Sequence, residues 1–192
     1  QARERYGDKI RLIEIGNEAE NWPRAPLPHE WLTMARAQAE ITRRVHEQYP
    51  DVRVMSTGTT HINLAYIAQL AAVGGPDAAD VIAVHGYRNP SPPEFGHRED
   101  VRAINSLFPD TPVWCSEQAY FADPPDTHPT YDNPGLRPVT LSEEKQAIYL
   151  PRLLLCQLAA GYDGVTWYAW ASDHGLTHSP THVRPGLCSL AA

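Results

Sequence analysis

Residues 10–18 read Ile10-Arg11-Leu12-Ile13-Glu14-Ile15-Gly16-Asn17-Glu18, and Ala19-Glu20-Asn21-Trp22 and a proline-rich run follow. Ile10 to Ile15 make a short apolar strand that ends in an amide and a carboxylate just where the chain turns to loop. A strand tip is where a rigid frame hands a side chain to a cleft. Val113-Trp114-Cys115-Ser116-Glu117 has the same form, so the chemistry turns on whether Glu18 and Glu117 face each other.

Working outward, the pattern predicts strands over residues 10–16, 52–57, 81–87, 112–117 and 164–170. Helices fall between them. Residues 29–49 carry Met34, Ala37, Ile41 and Val45 at helical spacing, bounded by Pro28 and Pro50. Residues 62–73 end at Gly74-Gly75-Pro76, and a third helix spans 99–107. Thr140-Leu141-Ser142-Glu143 has the form of a capping box opening a helix with Ala147, Leu150, Leu154 and Leu158 on one face. Pro151 is expected to bend that helix and Gly161 to end it. This alternation of strand and helix argues a parallel α/β sheet, and the polar or aromatic strand ends with long following loops, 88–98 and 118–139, favour a (β/α) barrel. A complete barrel of this kind takes about 250 residues. Residues 1–192 are therefore expected to be a single incomplete barrel domain, strands 4 to 8 of a TIM-type barrel with the first three absent, and the non-methionine start at Gln1 fits a piece of a longer chain.

The composition narrows the partners. A formal net charge of −7, without a run of lysine or arginine, provides no electrostatic footprint for nucleic acid or an anionic membrane. No apolar run approaches the roughly 18 residues of a membrane span. Three widely spaced cysteines, Cys115, Cys156 and Cys188, match neither a disulfide framework nor a zinc knuckle, so compartment stays open between secreted and cytoplasmic. Of the nine histidines, His174, His178 and His182 alone have a metal-like spacing, and the glycine and proline around them make a loop the expected structure; no cofactor and no metal site are expected. Oligomeric state is not legible.

Two strand-tip glutamates suit one reaction in particular. Cleaving a glycosidic bond with retention needs one carboxyl to protonate the leaving oxygen and one carboxylate to attack the sugar carbon, about 5 Å apart. Glu18 and Glu117 are the candidates. A lone exposed glutamate at a strand end would be a solvated loop residue, but two of them, each followed by an aromatic-bearing loop, point to function. Asn17 adds an amide suited to a sugar hydroxyl. At the third strand's end, residues 83, 85 and 87 share a face, so His85 and Tyr87 point the same way, either into the barrel interior or into a core satisfied by backbone. Flat aromatic faces at the strand ends, Trp22, Tyr87, Tyr120 and Trp170 among them, suit sugar rings. Cys115 shares Glu117's parity, and a thiol inside a strand is expected to be inert packing. Glu14 shares Glu18's parity deeper in its strand, where an acid needs a partner.

In order and spacing, Asn17-Glu18, His85-x-Tyr87, Glu117 and Trp170 resemble the clan A glycoside hydrolases, retaining enzymes on a (β/α) barrel. Glu14-Ile15-Gly16-Asn17-Glu18 is similar to the form seen in the β-xylosidase/α-L-iduronidase and arabinofuranosidase families. The resemblance implies Glu18 as general acid/base, Glu117 as nucleophile, Asn17 as ligand of the sugar 2-hydroxyl and Tyr87 as partner of the nucleophile. Its implied substrate is a glycoside, oligosaccharide or polysaccharide. The clan's second-strand arginine has no counterpart here. A catalytically silent carbohydrate-binding barrel and a metal-dependent barrel hydrolase are the competing expectations.

Overall fold

A computed structural model of the chain describes residues 5–18, 30–123, 141–169, 176–179, 182–183 and 185. Strand β1 (Leu12–Glu14) pairs in parallel with β2 (Arg53–Met55). Two-residue β3 (Thr59–Thr60) pairs with the upper end of β4 (Ile82–His85), which pairs with β5 (Val113–Glu117) and through it with β8 (Gly164–Val165), all in parallel. The two ladders are joined where Met55 bridges Val81 and the Ser56 N–H donates to Val81 O at 2.9 Å. The strands predicted from the sequence thus lie side by side in chain order. Helices α1 (Trp31–Gln48), α2 (Leu64–Gly74), α3 (His97–Leu107) and α4 (Glu143–Ala160) fall in the intervals between β1, β2, β4, β5 and β8. Short β6 (Ala122–Asp123) and β7 (Leu141–Ser142) pair before α4, and β9 (Thr177–Ser179) and β10 (His182–Val183) form an antiparallel pair where the sequence reads as loop.

The period of two sorts the strands into an outer and an inner face. On the outer face Ile82, Val84, Val113 and Cys115 pack with Tyr66, Ile67, Leu70, Val101, Ile104 and Phe108 of the helices and their ends into the main core. On the inner face Met55, Val81 and Ala83 meet Leu12 and Trp114 in a second, smaller cluster. Gly164 lets the Trp114 ring lie flat there, since a Cβ at 164 would sit 2.3 Å from the indole. Moving toward the strand ends, the inner face changes from these apolar side chains to Glu14, His85 and Ser116. The chemistry therefore stands on a packed apolar floor.

On α1 the face turned inward differs from the one the apolar spacing predicts, and on α4 the prediction holds at Ala147 and Leu150 but not at Leu158. On α1, Ala35, Gln38 and Thr42 are buried, whereas Ile41 of the expected stripe is 37% exposed. The reason is polar: Thr42 Oγ1 donates to Ala78 O at 2.9 Å, and Gln38 Nε2 donates to Met55 O at 3.5 Å, so buried backbone carbonyls find partners on this helix. On α4 the buried line runs Gln146, Ala147, Leu150, Leu153 and Gln157, while Leu158 is exposed. The cap is also displaced from Thr140, which lies outside the described residues. Ser142 is the N-cap, accepting the Lys145 N–H at 3.2 Å, and the helix continues through Pro151 to a left-handed C-cap at Gly161.

Candidate active site

The site is assembled by two departures from regular strand geometry. After β1 the chain takes left-handed backbone at Gly16 (φ 80°) and again at Glu18 (φ 41°), a conformation uncommon for a residue with a Cβ. The Glu18 N–H donates to Gly58 O at 2.9 Å, and Thr57 Oγ1 donates to Ile15 O at 2.6 Å, fixing this turn against the end of β2. In β5 the register slips. Val84 opposes Cys115, but the next residue, His85, opposes Glu117, so Ser116 is the extra residue of a bulge. Strict alternation would put Glu117 on the outer face with Cys115. The bulge instead places Ser116 and Glu117 beside the inner-face residues Glu14 and His85.

At the centre is His85, 1% exposed. Its Nδ1 lies 2.7 Å from Glu18 Oε1 and 3.9 Å from Glu117 Oε2, and its Nε2 lies 3.7 Å from Glu14 Oε1. Burial by itself would lower the proton affinity of the ring. The carboxylates of Glu14 and Glu18, with Glu117 behind them, outweigh it and push the ring up to about 9, so His85 is an imidazolium at neutral pH. Tyr87 donates its hydroxyl to Glu117 Oε1 at 2.5 Å. Burial first, then the charge of Glu117, raises the phenol above its usual range, which keeps it a donor. The Tyr87 ring also leans on Phe121, with centroids 6.5 Å apart.

Glu18 and Glu117 do face each other. An oxygen of each, with a ring nitrogen of His85, lies within 4.8 Å of the other two. The same trio has the composition of a cation site, and the 2.7 Å contact between His85 Nδ1 and Glu18 Oε1 is also that of a hydrogen bond.

Of the other candidates, Asn17 is exposed beside Glu18. Tyr120 is corrected: it is 1% exposed, donates its hydroxyl to Ser91 O at 2.7 Å and packs with Leu141 and Leu153, so its face is occupied by protein. Trp167 packs against the same cluster. Trp22 and Trp170 lie outside the described residues, as does His174. Cys115 is buried in the outer core, and burial pushes its thiol up to about 12, as expected of packing. Three contributors to the site were missed: Ser116, whose Oγ donates to Glu14 Oε1 at 3.0 Å; Gly58, where a Cβ would collide with Glu14 Oε1 and His85 Nε2; and His61, whose Nδ1 lies 3.2 Å from Tyr87 O. Only Glu14's parity with Glu18 pointed toward the first of these. The partner Glu14 needs is thus within this chain.

No family model and no curated protein sequence matches the chain. Solved structures do. A family 51 α-L-arabinofuranosidase from Bifidobacterium longum superposes with a TM-score of 0.68 at 11% identity over 95% of this chain and 43% of that one. A family 2 β-galacturonidase from Eisenbergiella tayi, bound to galacturonate, gives 0.66 at 15% identity over 98% and 34%. A family 39 β-xylosidase from Caulobacter crescentus gives 0.64 at 17% identity over 97% and 43%. The fold is that of these glycoside hydrolases over the part covered, and the chain spans well under half of each of their lengths.

Proposed function

We propose that this chain carries the catalytic face of a retaining glycoside hydrolase that cleaves O-glycosidic bonds, with Glu18 as general acid/base and Glu117 as nucleophile. The observation that carries the reading is the approach of the two carboxyl groups to within 4.8 Å, oxygen to oxygen. Retaining enzymes hold the pair about 5–5.5 Å apart, whereas inverting ones leave about 6.5–9.5 Å for a water. In the first step a Glu117 oxygen attacks the anomeric carbon while the proton shared between His85 Nδ1 and Glu18 passes through Glu18 to the leaving oxygen. In the second a water, deprotonated by Glu18, displaces Glu117 and restores the sugar with its original configuration. Tyr87 aims the attacking carboxylate through its 2.5 Å hydrogen bond. Asn17 is assigned to the sugar 2-hydroxyl, and Trp22 and Trp170 to stacking on the sugar. The barrel register, with these strands as the fourth to eighth, belongs to the same proposal.

The test is hydrolysis of nitrophenyl β-D-xylopyranoside, α-L-arabinofuranoside, β-D-glucuronide and β-D-galacturonide, sugars suggested by the structural neighbours. Glu117→Gln is expected to lower turnover by about 10³-fold or more, and the wild-type product, followed by NMR, to keep the anomeric configuration of the substrate. Hydrolysis undiminished in Glu117→Gln would sink the assignment, and sugar binding without hydrolysis by the wild type would favour a silent carbohydrate-binding barrel. Activity lost on chelation and restored by zinc would favour metal-dependent chemistry.

A further inference from the structure

We propose that Glu14 is a positioning residue that acts on Glu18 through His85, forming a carboxylate–imidazole–carboxylate line that keeps the proton Glu18 gives and takes. The inference rests on the role proposed for Glu18 and adds a third acid to the site. Three separate observations converge on it. Glu14 Oε1 faces the Nε2 edge of His85 at 3.7 Å while Nδ1 on the other edge meets Glu18 at 2.7 Å, so the ring stands between the two acids. Ser116, the extra residue of the β5 bulge, donates to that same Glu14 oxygen at 3.0 Å, so the irregularity that brings Glu117 inward also anchors Glu14. Residue 58 is bare where the two groups meet: a Cβ there would lie 2.2 Å from His85 Nε2 and 2.4 Å from Glu14 Oε1.

The chemistry follows from which nitrogen is engaged. A carboxylate beside Nε2–H holds the ring in the orientation that turns Nδ1 to its other partner, as a buried acid orients the histidine of a catalytic triad. One proton is mobile, lying between Nδ1 and Glu18. It leaves with the glycosidic oxygen in the first half-reaction and returns from the attacking water in the second, while Nε2–H stays toward Glu14 throughout. Proton number is conserved over the cycle. The charged groups around the ring are Glu14 from β1, Glu18 from the turn after it and Glu117 from β5. Removing one of these negative charges lowers the proton affinity of the cluster.

The experiment compares Glu14→Gln and Ser116→Ala with wild type in the full chain. The first reading, independent of activity, is ¹⁵N–¹H NMR of the His85 ring against pH. The wild-type ring is expected to stay charged at neutral pH, and Glu14→Gln to move its titration at least about one unit toward acid, with Ser116→Ala moving it less in the same direction. The second is kcat/KM on aryl glycosides of graded leaving-group acidity. Glu14→Gln is expected to lose tenfold or more on nitrophenyl glycosides that need protonation, little on dinitrophenyl glycosides that do not, and its alkaline limb is expected to move to lower pH. A purely structural Glu14 would lower all substrates alike and leave the limb in place, which would overturn the proposal. So would unchanged His85 signals in both variants. If wild type hydrolyses none of the panel, or Glu18→Gln is as active as wild type, the glycosidase reading has failed, and the NMR titration still decides whether Glu14 governs His85.

Discussion

Raising the pH should weaken the fold through His85. The ring is 1% exposed and its proton is held to about 9, against an ordinary value of 6.5. Because the folded value lies above the unfolded one, the contribution is fully present below about pH 6.5 and is lost as pH rises through about 9. At about 1.4 kcal/mol per pH unit, the interval corresponds to about 3 kcal/mol. The assay is urea unfolding of wild type and His85→Asn at several pH values between about 6 and 10, taking the difference between the two proteins at each pH. Titrations common to both cancel in that difference, leaving His85. The wild-type advantage is expected to shrink by about 3 kcal/mol across the range, falling most steeply between about pH 6.5 and 9 and levelling off above about 9 as the charged ring is lost. A difference that is flat with pH would show that Glu14, Glu18 and Glu117 do not hold the proton on the ring, and the electrostatic account of the site would fail with it.

Three further outcomes follow from single contacts. Tyr87→Phe removes a hydrogen bond to a carboxylate, worth about 1.5–3 kcal/mol, and is expected to lower kcat about 10- to 100-fold without changing the helical circular dichroism. Gly58→Ala places a methyl against the packed ends of Glu14 and His85 and is expected to cost about 1–3 kcal/mol in urea unfolding; a fully stable, fully active variant would contradict the close approach seen there. Of the two described cysteines, Cys156 is expected to react with iodoacetamide in the native protein and Cys115 only after unfolding, because burial holds Cys115 as a thiol up to about pH 12; mass spectrometry of the labelled peptides checks it.

Much of this protein was legible in its residues. Short apolar runs ending in Glu, separated by helical stretches and closed by Gly and Pro, specify a parallel α/β sheet, because period and punctuation are local properties of a chain. The pairing of His85 with Tyr87 on one face also followed from local alternation, as did the inert thiol of Cys115. Which face of a helix is buried did not. Apolar spacing chose Ile41 and Leu158, whereas Gln38, Thr42 and Gln157 are inside; Gln38 and Thr42 serve polar groups that arrive from 17 or more residues away in the chain. The long loop's aromatics were equally ambiguous, since a ring at a strand end serves a core as readily as a cleft, and Tyr120 serves the core.

Only the tertiary structure decided how the acids meet. Alternation alone sends Glu117 outward with Cys115, and the bulge at Ser116 turns it inward because β4 advances one residue there while β5 advances two. Alternation alone also leaves Glu18 on an extended strand two steps beyond Gly16. Left-handed backbone at Gly16 and Glu18, anchored by Thr57 and Gly58, folds it back over His85. Bulges and left-handed turns are set by what the neighbouring strand offers, so no window of residues 10–18 or 113–117 contains them. The same is true of Glu14: its position in the strand marked it as needing a partner, and the ring and hydroxyl that supply one come from 71 and 102 residues further along the chain.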